Sequence, residues 1–230
     1  LIAVSESTKH DLVRTYDIDP AKISVIFSGV DQTFSRPAQD VLERFRSEKR
    51  LPERFVLCLG TLEPRKNVVG VIRAFNRLKQ SGAFGDLRLV IAGAPGWLYR
   101  DIFAEAERTP HVRDIYFVGS VGDEERALYY SLASVFVYPS FFEGFGFPPL
   151  EAMACGTPVI ASRTSSLPEV VADAGILVNP YDVVAIAGAL SEVLRDQKLR
   201  ERLTQKGLAR AQEYTWRRSA QKTLDVLTRP

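Results

Sequence analysis

Two glutamates, Glu143 and Glu151, stand eight positions apart at the two ends of a loop rich in glycine and phenylalanine, Glu143-Gly144-Phe145-Gly146-Phe147-Pro148-Pro149-Leu150-Glu151. A carboxylate is an acceptor that grips hydroxyl groups, and both a pyranose and a ribose diol offer them. One carboxylate at each end of a loop lying over a diphosphate could hold both ends of a nucleotide sugar. Gly144 and Gly146 let a ligand approach the main chain closely. The run is not a dinucleotide fingerprint, because the third glycine is missing and Pro148-Pro149 stand where that motif continues. That disfavours an NAD dehydrogenase. A plainer account makes Glu151 a first-turn acid on a helix.

The second chemical segment is Gly60-Thr61-Leu62-Glu63-Pro64-Arg65-Lys66-Asn67. Gly60 allows a sharp turn after an apolar run. Arg65 and Lys66 then put two cations at a helix N-terminus, where unpaired N–H groups already attract anions. Cations there oppose the helix dipole, so their placement favours an anionic ligand as the third party. The alternative is a solvated pair on a turn. A Walker loop is excluded, since Lys66 is followed by asparagine and the second glycine is absent.

The elements that must carry these loops follow from hydrophobic periodicity. From Phe55 onward, apolar runs of strand length alternate with amphipathic stretches: Phe55–Leu59, Leu87–Ala92, Ile115–Val118, Val135–Tyr138, Pro158–Ala161 and Ile176–Val178 read as strands. Between them, helices are expected over Asn67–Gln80, from Leu98 to about Arg108, from a cap at Asp123 to about Ala133, over Leu150–Ala154 ended by Gly156, and from a cap at Asp182. Two more, over about 197–213 and 216–228, finish the chain. Six strands alternating with helices predict an α/β fold with a doubly wound, mostly parallel, Rossmann-like sheet. Ligands of such sheets sit beyond the carboxyl ends of the strands. Ahead of this block, residues 1–35 read as strand, helix and strand (Ile2–Val4, Ser5 capping a helix to about Tyr16, Lys22–Phe27). Residues 36–54 read as a polar interdomain linker with a short helix at Val41–Phe45, and residues 55–230 as the ligand-binding domain. Trp97 and Trp216 are expected to pack inside.

Composition narrows the function classes. The 230 residues carry 30 Lys+Arg and 28 Asp+Glu, a net charge of +2, with 46% apolar and 25% charged residues. An intrinsically disordered chain is excluded. The near-neutral balance argues against a nucleic-acid partner or a polybasic membrane anchor. No apolar run reaches the roughly 18–20 residues of a membrane span. Cys58 and Cys155 lack CxxC spacing and suit buried thiols in a reducing cytosol. With only His10 and His111, zinc-enzyme and serine-hydrolase readings start poorly. The chain opens on an apolar run at Leu1 and reads as a piece of a longer protein.

The paired loops resemble those of a known family. The Glu143–Glu151 segment is similar to its E-x7-E motif, and Gly60 with Arg65-Lys66 to the usual companion. Phe117-Val118-Gly119-Ser120-Val121, the run from Glu151 through Gly156-Thr157-Pro158 to Ser162, and Leu167-Pro168-Glu169-Val170-Val171 with Gly175 agree in order. The chain resembles the C-terminal, donor-binding domain of retaining GT-B glycosyltransferases of family 4, the group 1 glycosyltransferases. The resemblance implies that Arg65 and Lys66 hold the donor diphosphate and stabilise its growing charge. It implies that Glu143 contacts sugar hydroxyls near the reacting centre, and that main-chain N–H groups around Gly144, Phe145, Gly146 and Phe147 touch sugar or phosphate. Glu151 would bind the ribose diol with Leu150 packed nearby, Gly119 and Val121 would flank the base, and Gly60 would shape the phosphate turn. No cofactor and no metal are implied, a positive site standing in for a metal at the leaving diphosphate.

The implied partners are a GDP- or UDP-sugar and a glycan or lipid-linked acceptor reached through a preceding domain. Cytoplasmic location, with peripheral association at the inner face of the plasma membrane, goes with them. Gly-Thr-Leu-Glu-Pro-Arg-Lys-Asn looks like its counterpart in bacterial polysaccharide mannosyltransferases, which favours GDP-mannose. The family's acceptor-side histidine and N-terminal glycine-rich loop are not found, and neither His10 nor His111 has that context. The chain is therefore expected to bind donor without turning it over. A GT-B phosphorylase, a sucrose- or trehalose-type synthase and a non-catalytic sugar-nucleotide module are the alternatives.

Overall fold

The computed structural model describes residues 1–228. Strands β3 (Phe55–Leu59), β4 (Arg88–Ala92), β5 (Ile115–Gly119), β6 (Val135–Tyr138), β7 (Val159–Ser162) and β8 (Ile176–Val178) form one sheet in the order β5-β4-β3-β6-β7-β8. All five pairings are parallel. Helices α3 (Val68–Gln80), α4 (Arg100–Arg108), α5 (Asp123–Leu132), α6 (Phe147–Ala154), α7 (Leu167–Val171), α8 (Val183–Arg195) and α9 (Gln197–Gln212) complete the alternation. This is the doubly wound α/β sheet that the periodicity predicts.

Both faces of the sheet are covered, so the central strands are apolar at every position. Alternation then divides their side chains between two cores. Phe55, Leu57 and Leu59 join Phe136, Tyr138, Leu150 and Met153 on one face. Val56 and Cys58 join Val135, Val137, Val71, Phe75 and Leu190 on the other. Helix α8 shows how sequence dictates this. Asp182 caps it by accepting from the Ala185 N–H at 2.9 Å, and Ile186, Ala187, Leu190, Val193 and Leu194 form its buried stripe. Both cysteines lie in the interior, and burial pushes each thiol up to about 12, which keeps it protonated and inert.

Strand order reverses at the middle. From β3 the chain winds outward through β4 to β5, then returns to β6 beside β3 and winds the other way. The switch point is thus the seam between β3 and β6, with Val56 opposite Val135 and Leu57 opposite Phe136. The loops after these two strands are the two chemical segments.

Several boundaries differ from expectation. Helix α6 begins at Phe147 rather than Leu150, because the first-turn N–H groups lack intrahelical partners and Pro148-Pro149 fit there. Gly122, not Asp123, is the N-cap of α5, and Asp123 is its first helical residue. The stretch expected as the strand Lys22–Phe27 is a 3-10 turn, Pro20–Lys22, followed by the two-residue strand β2 (Ser24–Val25), which pairs with β1 (Ile2–Ala3). Helix α1 (Glu6–Tyr16) carries the expected Ser5 cap. The short helix at Val41–Phe45 extends to α2 (Gln39–Lys49), whose Leu42 and Phe45 are buried in the same core as Phe55. Trp97 and Trp216 do not lie in the interior: they are 59% and 52% exposed. Trp97 donates to Glu63, while Trp216, at the start of α10 (Trp216–Leu227), stacks on Phe147. Among the described residues, no helix is long and apolar enough to cross a membrane.

Candidate donor-binding site

The two loops at the switch point are stitched together before any ligand is considered. The Phe141 N–H donates to the Arg65 carbonyl at 2.9 Å. Asn67, in a left-handed conformation that asparagine tolerates, donates through Nδ2 to the Pro139 and Pro180 carbonyls at 3.2 and 2.7 Å. Arg65 and Lys66 lie in a 3-10 turn, Pro64–Lys66, that delivers them to the carboxyl edge of the sheet just ahead of α3.

There they meet Glu143. Lys66 Nζ lies 2.7 Å from Glu143 Oε1, and Arg65 Nη1 lies 2.7 Å from Oε2. Tyr138 and Ser140 also donate to Oε1, at 2.8 and 2.6 Å. The Lys66 ammonium further donates to the Tyr138 hydroxyl. Arg65 also pairs with Glu63 at 2.6 Å and donates to the Phe142 carbonyl at 2.8 Å. Burial by itself pushes the Glu143 carboxyl up, but Lys66, Ser140 and Tyr138 together outweigh it and hold the group below the usual carboxylate range. Burial and the neighbouring carboxylate raise the Tyr138 phenol well above its ordinary value, so it remains a donor. Glu143 is therefore an ionised acid inside a ring of donors.

Glu151 has a different setting. It is 4% exposed, on α6. Arg126 Nη1 reaches both its oxygens at 3.1 and 3.2 Å, and the buried Tyr130 hydroxyl donates to Oε2 at 2.9 Å. Burial pushes the Glu151 carboxyl up, and Arg126 and Tyr130 only partly offset this. The Arg126 guanidinium is itself shared with Asp123 at 3.0 Å and lies over the Phe34 ring. Leu150 beside it is fully buried.

The other candidates fall along the same edge. Gly60 closes β3 with φ +150°, and Gly119 closes β5 with φ +76°, its carbonyl accepting from the Gly93 N–H at 2.7 Å. Val121 packs half-buried against the core that contains Leu150. Gly144 is open on its Cβ side, the nearest atom being Thr8 Oγ1 at 4.0 Å. Gly146 has a different reason to be glycine: its φ is +130° and a Cβ there would lie 2.8 Å from Leu167. Phe145 turns inward against Phe27 and Tyr214, while Phe147 is 38% exposed.

The structure thus brings Arg65, Lys66 and Glu143 into one cluster and sets Glu151 in a second on the other flank of the glycine loop. Sequence reasoning missed the partners that fix the acids: Tyr138, Ser140, Arg126 and Tyr130. Tyr138 and Ser140 lie within five residues of Glu143 and were open to suspicion on proximity. Nothing in the pattern of α5 singles out Arg126.

Residues 41–210 match the family model of the glycosyl transferases group 1. The chain belongs to this family. As a group 1 glycosyltransferase sequence it is 34% identical over 230 residues to O-antigen chain mannosyltransferase B of Escherichia coli, a match covering 98% of the chain and 59% of that protein. It superposes on sucrose-phosphate synthase from Thermosynechococcus elongatus with a TM-score of 0.85 and 29% identity, covering 98% of the chain and 57% of the synthase. Anabaena Alr3699/HepE in complex with UDP and glucose gives a TM-score of 0.89 at 19% identity, covering 100% of the chain and 62% of that structure, which is a likeness of fold. The chain therefore spans less than two thirds of the length of each of these proteins.

Proposed function

We propose that this chain is the donor-binding half of a retaining hexosyltransferase that uses a nucleoside-diphosphate sugar, GDP-mannose by preference, to extend a glycan or lipid-linked acceptor. The observation that carries the proposal is the seating of Arg65 and Lys66 on Glu143 at the β3/β6 switch point. Before donor arrives, the carboxylate serves as the counter-ion of two cations. A diphosphate entering the site takes over Arg65 and Lys66, which are then aimed at the oxygens where charge grows as the C1–O bond breaks. Glu143, released from its cations, accepts from sugar hydroxyls and faces the positive charge developing at the anomeric carbon, an interaction strongest in the transition state. Front-face attack by the acceptor hydroxyl, whose proton passes to the departing diphosphate oxygen, then retains configuration.

At the other end, Glu151 meets the ribose diol. Arg126 and Tyr130 already fill most of its lone pairs, so the diol either uses the remaining one or displaces Arg126. Gly119 and Val121 flank the base. Residues 1–35 form the end of a preceding domain that supplies the acceptor side, 36–54 the crossing, and 55–230 the donor domain. The work is done in the cytoplasm at the inner face of the membrane, without a metal.

The E. coli relative's name, an O-antigen mannosyltransferase, supports the sugar and the class of acceptor. A second reading, transfer to a soluble sugar phosphate, draws on the likeness to sucrose-phosphate synthase. Thermal denaturation of the chain with GDP, UDP, ADP and their sugars is the test. The expected result is a rise in Tm largest for GDP and GDP-mannose. No rise with any nucleoside diphosphate sinks the donor-site reading, and a preference appearing only when a sugar phosphate is added favours the second.

A further inference from the structure

The glycine loop is held from behind by hydroxyl groups. Ser166 Oγ lies 2.9 Å from the Glu143 carbonyl and 2.5 Å from the Phe145 carbonyl. The carbonyl between them, that of Gly144, points instead at α1. Ser5 Oγ donates to it at 2.7 Å and Thr8 Oγ1 at 3.1 Å. The Glu143 N–H is taken by Ser165 Oγ at 2.9 Å.

These contacts fix more than carbonyls. In a trans peptide the carbonyl of one residue and the N–H of the next share a plane and point in opposite directions. Holding the carbonyls of Glu143, Gly144 and Phe145 toward α1 and α7 turns the N–H groups of Gly144, Phe145 and Gly146 the other way. The middle plane, which carries the Phe145 N–H, depends on residues 5 and 8. Both lie outside the segment 41–210 that defines the family match. Helix α1 is itself anchored to the loop's surroundings. The Glu169 carboxylate accepts from the N–H groups of Glu6 and Ser7 at 2.7 and 2.8 Å, an acid placed at the positive end of a helix. Ser5 is fully buried at this junction.

We propose that Ser5 and Thr8 are positioning residues of the donor site: their hydroxyls hold the Gly144 carbonyl and thereby aim the Phe145 N–H at the donor. The identity of that ligand rests on the donor-site reading above. The ordering of the loop does not. Through Glu169 and these two hydroxyls, the position of residues 1–30 is read out in the geometry of the donor loop.

The test uses Ser5→Gly/Thr8→Val. Glycine keeps most of the capping strength at Ser5, and valine keeps the shape of threonine without its hydroxyl. Thr8→Ser is the conservative control. In the ligand-free chain, NMR order parameters of the 144–146 amides should fall from about 0.85 to below about 0.6 in the double variant, with Leu150 and Glu151 unchanged, and stay at the native value in Thr8→Ser. Affinity for GDP-mannose should drop by about fivefold or more, the loss of one or two hydrogen bonds, while affinity for guanosine is unchanged. Native order parameters in the double variant overturn the proposal, and so does an equal loss for guanosine and GDP-mannose. If the native chain binds none of these nucleotides, the donor-site reading fails, and the order parameters alone decide whether Ser5 and Thr8 position the loop.

Discussion

Glu143 and Glu151 are the same residue type, one ahead of the glycine loop and one on the helix that follows it, yet their surroundings drive them apart. Around Glu143 the chain gathers two cations and two hydroxyls, which overcome burial and hold the acid ionised. Around Glu151 it gathers apolar core, one shared arginine and one phenol, and burial prevails. The difference is one of supply: Glu143 has Lys66 as well as an Arg65 that it shares with Glu63, whereas Glu151 has only Arg126, which is divided between it and Asp123. Under the proposed donor reading, a carboxylate poised to give up cations suits the end of the site where charge moves. One wedged in the core suits an end that only has to recognise a shape.

The contrast is broken most forcefully at Glu143. Glu143→Gln leaves Lys66 and Arg65 facing a neutral amide and is expected to cost about 3 kcal/mol of stability, the low end for breaking a buried pair because the cluster is open on the Arg65 side. The same variant should bind GDP more tightly than the native chain, since the diphosphate no longer competes with a carboxylate, while GDP-mannose loses that advantage. Denaturation midpoints with and without each ligand check this; unchanged GDP affinity would show that Glu143 does not compete for the cations.

Arg65→Ala comes next. Its effect is on binding rather than stability: diphosphate affinity should weaken by about 1.5–3 kcal/mol, the contribution of a charge-assisted hydrogen bond, with nucleoside affinity untouched. Calorimetry with GDP and guanosine separates the two. An equal loss for both retires the phosphate assignment.

Acid titration sharpens the comparison further. Glu143 has a lowered pKa in the folded chain, so its stabilising contribution is present above the unfolded value near 4.5 and is lost as pH falls below it. Glu151 has a raised pKa, so its contribution is present below about 4.5 and is lost as pH rises through the folded value. The cost of Glu143→Gln should therefore shrink on going from pH 7 to pH 3. Glu151→Gln, expected to change stability by about 1 kcal/mol, should compare better with the native chain at pH 7 than at pH 3. Parallel pH profiles for the two variants would erase the distinction. The smallest expected effect is that of a chelator: with the phosphate charge met by Arg65 and Lys66, GDP affinity should be the same with and without EDTA, and a lost titration on chelation would assign the neutralising role to a metal instead.

How far these features could be read in the sequence depends on the range of the interactions behind them. The strands from β3 to β8 announce themselves as apolar runs, and the Ser5 and Asp182 caps are local chemistry. Arg65, Lys66 and Glu143 were legible as loop residues at strand ends, which a parallel sheet gathers on one edge. Their mutual ion pairs were not, because they depend on β3 and β6 being neighbours. Arg126 and Tyr130 reach Glu151 from a different helix, and Ser5 reaches Gly144 across 139 positions, so no periodicity marks them. Tryptophan as a type suggests interior, but Trp97 and Trp216 sit on loops at the sheet edge and at a helix start, where no second layer covers them.

The seam between β3 and β6 also orders events in time. Lys66 and Glu143 are 77 positions apart, so the cationic loop leaves the ribosome well before its carboxylate partner. At about 5–20 residues per second that delay is about 4–15 seconds. During it, β3, β4 and β5 can pair in sequence with short crossovers, but one flank of β3 stays open until β6 emerges. A nascent chain thus displays the unpaired edge of an apolar strand next to Lys66, whose carboxylate partner has yet to emerge, while Arg65 already has Glu63 beside it. Closing the seam removes that exposed edge and completes the site in the same step.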